Sequence, residues 1–314
     1  MHQVGGNDGA ATPDMAEPQY LRGVAFGLAA VVIWASFIVV ARHGVRHGLS
    51  PWDIAAIRFA VSGSILLPYV IRKGLALDRL GVIGLGSIVL GCGAPMVLLA
   101  NAGLLFAPAA HAGALFPGVT PLMVALLAVV ILKEAFTWPK RIGCGLIVAG
   151  ALAIVWGSGG TIGTAQSIGH ALFLAAGLAW ALYTVAMRRA GLDGLHAASL
   201  GAVFSLVLYL PIYVWLAGSS ILRAPWQDVV LQALVQGLLT GVVALVLYGR
   251  VVRILGATGG AAFLALTPAM TALLGIPILA EWPSLIDWVA IAVVSGGVYV
   301  VSGGPLAALP GKAR

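Results

Sequence analysis

Apolar stretches of about 20 residues follow one another along almost the whole chain, and no other feature of the sequence constrains the fold as much. A helix rises about 1.5 Å per residue, so about 20 residues match the ~30 Å hydrocarbon core of a bilayer. Ten such stretches fall at 22–41, 52–71, 81–105, 110–132, 140–157, 169–187, 196–217, 229–249, 259–280 and 285–303. In lipid every backbone N–H and C=O must be satisfied inside the protein, so unbroken runs of this kind are read as helices. The expected fold class is an all-α integral membrane protein with ten transmembrane helices. Composition points the same way: 61% of residues are hydrophobic and 9% charged, against about 25% charged in a soluble domain.

The net charge of +7 does not form a basic patch. Lys and Arg sit in short clusters between the apolar runs, which is an orientation signal and argues against nucleic acid as a partner. With the N-terminus in the cytoplasm, the inner clusters are Arg22; Arg72, Lys73 and Arg79; Lys133, Lys140 and Arg141; Arg188 and Arg189; Arg250 and Arg253; and Lys312 and Arg314. Only Arg42, Arg46 and Arg223 fall outside, with Arg58 inside helix 2, so thirteen basic residues face three. An odd number of spans would scramble this asymmetry. The expected location is the cell inner (plasma) membrane, multi-pass, with both termini cytoplasmic. Residues 1–20 read as a flexible tail without a signal peptide's basic start and apolar core, and 305–314 as a second tail. Cys92 and Cys144 lie within apolar runs and read as packing residues. Neither a metal nor a cofactor is expected.

The chain also repeats itself. At an offset of 147 residues, Phe116, Thr120, Pro121 and Met123 land on Phe263, Thr267, Pro268 and Met270, Glu134 lands on Glu281, and Gly150 on Gly297. At 146, Gly23, Trp34 and Arg42 meet Gly169, Trp180 and Arg188, and at 143 Leu67-Pro68 meets Leu210-Pro211. The reading is a duplicated five-helix unit, 21–157 and 158–304, joined by the charge-free segment Gly157 to Ile168. Five is odd, so the second copy enters the membrane inverted relative to the first. Inverted repeats place a transport site between the halves near the midplane.

Each half resembles the EamA domain of the drug/metabolite transporter (DMT) superfamily. The resemblance rests on Val32-Ile33-Trp34-Ala35-Ser36, Ser50-Pro51 leading to Ile57-Arg58-Phe59, Thr120-Pro121, Lys133-Glu134, Gly143 and Gly150. In the second half it rests on Thr267-Pro268, Glu281 and Gly296-Gly297, while the Arg-Phe element is absent. It implies a ten-helix exporter or exchanger of amino acids or similar metabolites.

Candidate cavity residues are uncharged polar and aromatic side chains sharing helix faces. Trp180, Tyr183, Thr184 and Met187 form an i, i+3, i+4, i+7 stripe in helix 6, mapped by the repeat onto Trp34, Phe37 and Ile38 in helix 1. Helix 3 contributes Asn101 on a face with Ser87, Gly91 and Ala94, and helix 8 contributes Gln232, Gln236 and Thr240. Phe116 with Thr120 and Phe263 with Thr267 complete the set. Interhelical packing accounts for the same pattern. Arg58, about two turns into helix 2, is expected to snorkel to the outer interface and would otherwise hold a substrate carboxylate. Glu134 and Glu281 are read first as interfacial packing against a helix N-terminus, and otherwise as a gate. His111 reads as a hydrogen-bonded packing histidine, with a proton role as the alternative. Pro117, Pro121, Pro268 and Pro277 are expected to interrupt helices 4 and 9.

Expected partners are a small-molecule substrate and the lipid bilayer. Gly23/Gly27 and Gly237/Gly241 are small-xxx-small pairs that packing within one bundle explains, so a monomer is expected. A lipid-carrier or nucleotide-sugar transporter of the same superfamily would need a basic cavity, and only Arg58 is available at depth. An intramembrane enzyme would need converging acids, histidines or a nucleophile–base pair, and none converge in the sequence. A non-transporting membrane scaffold is the rival of another class. With no acidic residue near a midplane and His111 alone as a buried titratable group, the expected cycle is a facilitator or exchanger without proton coupling.

Overall fold

The computed structural model describes residues 17–157, 164–216 and 221–303, and these contain no strand. Among them, nine helices are long and apolar enough to cross a membrane: α1 Pro18–Arg46, α2 Pro51–Lys73, α3 Leu77–Gly103, α4 Ala109–Ile131, α5 Trp138–Gly157, α6 Ala165–Arg189, α7 Gly194–Leu216, α8 Trp226–Gly256 and α9 Gly259–Leu279. A further apolar helix, α10 Leu285–Val301, has 17 residues. The protein is an all-helical, multi-pass membrane protein. The expected N-terminal tail is shorter than 1–20, since residues 17–20 already belong to the first helix; residues 1–16, the C-terminal tail and most of the expected joint lie outside the described residues.

Helix starts follow local chemistry. Ser50 caps α2 in a capping box with Asp53, and Ser284 caps α10 in the same way with Asp287. Asp193 caps α7 by accepting from the His196 N–H at 2.9 Å. Two helix ends lie well beyond the sequence reading, that of α8, which runs to Gly256 rather than 249, and that of α1. Helix α1 continues to Arg46, so Arg42, His43 and Arg46 belong to its last turns rather than to a loop. The Arg42 and Arg46 side chains lie against the end of α9, where carbonyl and carboxylate acceptors await them, while His43 faces Asp228 at the start of α8.

The proline expectation is corrected in part. Helix α4 is interrupted between Leu115 and Thr120, with Pro117 in the interruption. Pro121 and Pro268 instead stand at the beginnings of the segments Thr120–Ile131 and Thr267–Leu279, where a missing N–H costs nothing. Pro277 lies inside a helical segment that continues through it. Three breaks come from glycine, the first at Gly81 near the start of α3 with φ 60°. Gly93 adopts an extended conformation within α3, and the Ala94 N–H beyond it is taken by the Ser205 hydroxyl of α7 at 2.8 Å. Gly256 bends the chain between α8 and α9 at φ 78°.

Helix α1 packs on α8 and α9, α6 on α3 and α4, α2 on α7 and α8, and α5 on α10. Close approach explains several glycines. A Cβ on Gly143 would lie 2.8 Å from the Gly297 carbonyl, and one on Gly150 2.8 Å from that of Ala290. Gly237 and Gly241 seat against Val61 and Ser62, while Gly23 and Gly27 seat against Leu255 and Phe263. Both small-xxx-small pairs are used inside the bundle.

Candidate functional site

Arg58 does not snorkel. It is 8% exposed, with its guanidinium carbon 5.0 Å from the centre of the Phe37 ring and 5.7 Å from that of Phe59. Its Nη1 reaches Gln236 Oε1 only at a long 3.4 Å, and its Nε is buried without a hydrogen-bond partner among the described residues. The reason it stays inside is the packing of α2 on α8 and α1: cation–π contact with two rings replaces part of the lost hydration. Gln236 Nε2 donates to the Phe37 carbonyl at 2.9 Å and Gln232 Nε2 to that of Val40 at 2.7 Å. These two amides therefore clamp α8 to α1, and the Gln236 clamp also aims its carbonyl oxygen at Arg58. Asn101 is fully buried, and among the described residues neither its amide atoms nor the buried hydroxyl of Thr240 has a hydrogen-bond partner. Such atoms are rare in folded proteins and mark unmet hydrogen-bonding capacity.

The aromatic residues group into separate clusters. Phe116 and Trp180 meet edge-on at 6.1 Å, and Trp180 and Tyr183 at 5.6 Å. Trp34 instead packs on Tyr248 at 5.2 Å, a contact the sequence pattern did not indicate, and Phe263 lies over Gly27. The hydroxyls of Thr120 and Thr184 bond back to the Phe116 and Trp180 carbonyls, and Thr267 is buried. One groove of about 550 Å³ runs between α3 and α6, bordered by Arg79, Ser87, Ile131 and Arg189. Another of about 440 Å³ lies between α9 and α10 beside Phe263, Ser295 and Tyr299. Of the expected cavity residues, Phe263 alone lines either groove. The others lie in separate places, Trp34 on Tyr248, Gln236 on the Phe37 carbonyl, and Phe116, Trp180 and Tyr183 together.

At the ends of the bundle the two repeat-related glutamates behave alike. Helices α4 and α9 both stop at a non-glycine residue in the left-handed region, Lys133 at φ 58° and Ala280 at φ 54°. The next residue is Glu134 or Glu281, whose N–H reaches back to the Ala128 or Gly275 carbonyl at 3.3 Å. The turn swings each carboxylate toward an arginine of the other half. Glu281 Oε1 accepts from Arg42 Nε at 2.9 Å and Arg46 Nη2 at 2.6 Å, and its Oε2 from the Ala109 N–H at 2.8 Å. Glu134 accepts from Lys140 at 3.2 Å and from Arg188. Burial pushes the Glu134 carboxyl up, but Lys140 and Arg188 outweigh it and hold it below its ordinary value. Glu281 meets the N-terminus of α4, at the Ala109 N–H, rather than that of the helix that follows it. The ion pairs go beyond the packing reading.

The premise that no titratable groups converge is overturned. His111 Nε2 lies 3.2 Å from Asp287 Oδ1, and its Nδ1 lies 3.0 Å from His170 Nε2 and 3.1 Å from Gln166 Nε2. Asp287 and His170 both stand near helix starts, positions that read as caps and interfaces until α4, α6 and α10 are brought together. A further cluster, His43, His47 and Asp228, presents three potential metal ligands within 4.8 Å of one another, which the expectation of no metal did not foresee.

A profile of the EamA-like transporter family matches residues 21–156 and, a second time, 167–303. The chain belongs to this family. Within the EamA-like transporters, and so within the DMT superfamily, it is similar to YyaM of Bacillus subtilis (strain 168), described as an uncharacterized transporter. The two are 28% identical over 252 residues, covering 76% of this chain and 80% of YyaM. It is also similar to YetK of the same organism, another uncharacterized transporter, at 26% over 189 residues, which is 58% of this chain and 56% of YetK. A solved crystal structure shares the fold with a TM-score of 0.57 at 19% identity, covering 88% of this chain and 95% of the other.

Proposed function

We propose that this EamA-family protein carries a small zwitterionic metabolite, with amino acids as the leading class, by alternating access between two inverted five-helix repeats. The observation that carries the reading is the reciprocal pair of ion clusters. Arg42 of the first half meets Glu281 of the second, and Arg188 of the second half meets Glu134 of the first. The helix contacts exchange in the same way. Helix α1 packs on α8 and α9, and its counterpart α6 packs on α3 and α4. With an odd number of spans per half, the two clusters fall on opposite faces of the membrane, and each closes one end.

Helix α10, with its 17 residues, would span about 26 Å, at the lower limit for a crossing, and serves as the tenth span. The distribution of Lys and Arg places both termini in the cytoplasm, the Glu134 cluster at the inner face and the Glu281 cluster at the outer face of the plasma membrane. Between them, Arg58 supplies a fixed cation for a substrate carboxylate. Asn101 and the Phe116–Trp180–Tyr183 rings suit an uncharged remainder. One buried arginine cannot neutralise a polyanion, so phosphorylated sugars fit poorly.

Counterflow of radiolabelled amino acids in proteoliposomes, scanned by competition, tests the reading. Arg58→Gln is expected to lower flux at least about tenfold, since a charge-assisted hydrogen bond contributes about 1.5–3 kcal/mol. Trp180→Ala and Tyr183→Ala should impair flux more than Leu178→Ala on the exposed side of α6. Absence of counterflow for every amino acid would overturn the substrate class.

A further inference from the structure

We propose that Asp287, His111 and His170 form a buried proton relay that couples the carrier to the movement of one proton; this rests on the transport reading above. Residue exposures of 7%, 2% and 3% place the three groups away from water. Ionisable groups at such positions are costly and are characteristic of proton pathways in transporters.

The hydrogen bonds define a direction. Asp287 Oδ2 is occupied by the Ser284 N–H at 2.9 Å and the Ser284 hydroxyl at 2.8 Å, leaving Oδ1 to face His111. His111 Nε2 therefore carries a hydrogen, and the single lone pair of its Nδ1 is shared between His170 Nε2–H and the Gln166 amide N–H. His170 Nδ1 is then a buried lone pair without a hydrogen-bond partner among the described residues. A proton added at His170 Nδ1 lets the Nε2 proton pass to His111 Nδ1. His170 ends neutral with its hydrogen on Nδ1, and His111 becomes an imidazolium paired with Asp287. One proton enters, no bond between heavy atoms changes, and the formal charge of the cluster goes from −1 to 0. A second proton would leave an uncompensated cation in the same surroundings, so the stoichiometry is one.

The segments packed around His111 come from α1, α6, α9, α10 and α5. The groups facing it are His170 and Gln166 from α6 and Asp287 from α10. Glu281, after α9, binds the Ala109 N–H two residues before His111, but it is already paired with Arg42 and Arg46 from α1. The charged residues of α5 lie at its opposite end, where Lys140 pairs with Glu134. The short segment Ala109–Leu115 thus carries both the relay and one anchor of the Glu281 gate. Movement of α6 or α10 against it breaks the relay where the gate opens, which links proton occupancy to the facing state.

The test has two arms. In ¹⁵N-histidine NMR of the full-length protein in nanodiscs, resonances assigned through His111→Asn and His170→Asn should change together in a single one-proton step. In Asp287→Asn that shared step should disappear. Independent titration of the two histidines, or an unchanged step in Asp287→Asn, would overturn the relay. In proteoliposomes loaded with a ¹⁴C-amino-acid mixture, an imposed pH gradient should drive accumulation beyond equilibrium. Relative to each variant's own counterflow, that accumulation should fall about tenfold in His170→Gln. Counterflow without gradient-driven accumulation in the native protein overturns the coupling and leaves transport standing. No counterflow at all overturns the transport reading, and the NMR arm still decides the proton site.

Discussion

The Glu281 and Glu134 clusters descend from the same residues of a duplicated unit, yet they are built to different strengths. Glu281 is 12% exposed and receives two arginines and a backbone N–H, while Arg42 and Arg46 also bond the Leu104 and Leu279 carbonyls. Glu134 is 27% exposed, its partner Arg188 41%, and it receives two side chains. One end is knitted into four segments from both halves; the other is a solvated latch. Exposed ion pairs contribute little because water and salt screen them, whereas a shielded carboxylate with fixed donors is costly to strand. In the alternating-access reading proposed above, the Glu281 end is the firm closure and the Glu134 end the loose one. The Asp287–His111–His170 relay stands at that firm end, and the repeat does not duplicate it. The offset of 147 places Lys140 and Thr258 where Asp287 and His111 have their counterparts.

The largest expected effect comes from Glu281→Gln, which leaves two guanidinium groups and the Ala109 N–H short of their acceptor. Unfolding in mixed micelles should show a loss of about 3 kcal/mol, against less than about 1 kcal/mol for Glu134→Gln. Equal losses would erase the contrast. Charge exchange sharpens it. Arg188→Glu combined with Glu134→Arg should restore most of the stability lost by either alone. Arg42→Glu combined with Glu281→Arg should restore much less, because arginine cannot accept from the Ala109 N–H. Full recovery at both ends would show that this backbone bond contributes nothing.

Salt should separate the two clusters more gently. At 1 M salt the screening length falls to about 3 Å, so the difference in stability between native protein and Glu134→Gln should vanish while that for Glu281→Gln persists. Acid gives the smallest effect. The Glu134 carboxyl is held below its ordinary value, so its stabilisation is complete above the usual carboxylate range and is lost as pH falls through the lowered value. Acidification below about pH 4 should cost less than about 1 kcal/mol, given the exposure of the pair. Glu134→Gln should abolish that increment, and a native protein that gains stability there would reverse the assignment.

Much of this architecture was legible in one dimension because lipid leaves few choices. Apolar runs of the right length, the duplicated Trp34/Trp180, Arg42/Arg188 and Glu134/Glu281 positions, and the family motifs all appear in the sequence. Capping boxes at Ser50 and Ser284 follow from S-x-x-D spacing alone. The site was less legible. Arg58 was expected to reach the interface because its stem is long enough, and only the rings of Phe37 and Phe59 with Gln236 beside them show why it stays inside.

The sequence by itself determined the membrane class, the helical segments and the internal duplication, because each depends on local hydropathy or on residues matched at a constant spacing. Tertiary structure decided which charges meet. Arg42 and Glu281 are 239 residues apart, and His111 and Asp287 are 176 apart. Whether a carboxylate at a helix start acts as a cap alone or also orients a histidine depends on its second oxygen. In Asp287, Ser284 holds Oδ2, and the packing of α10 against α4 presents Oδ1 to His111. No spacing rule along the chain encodes that direction, because it arises only when segments distant in sequence exclude water from the same place.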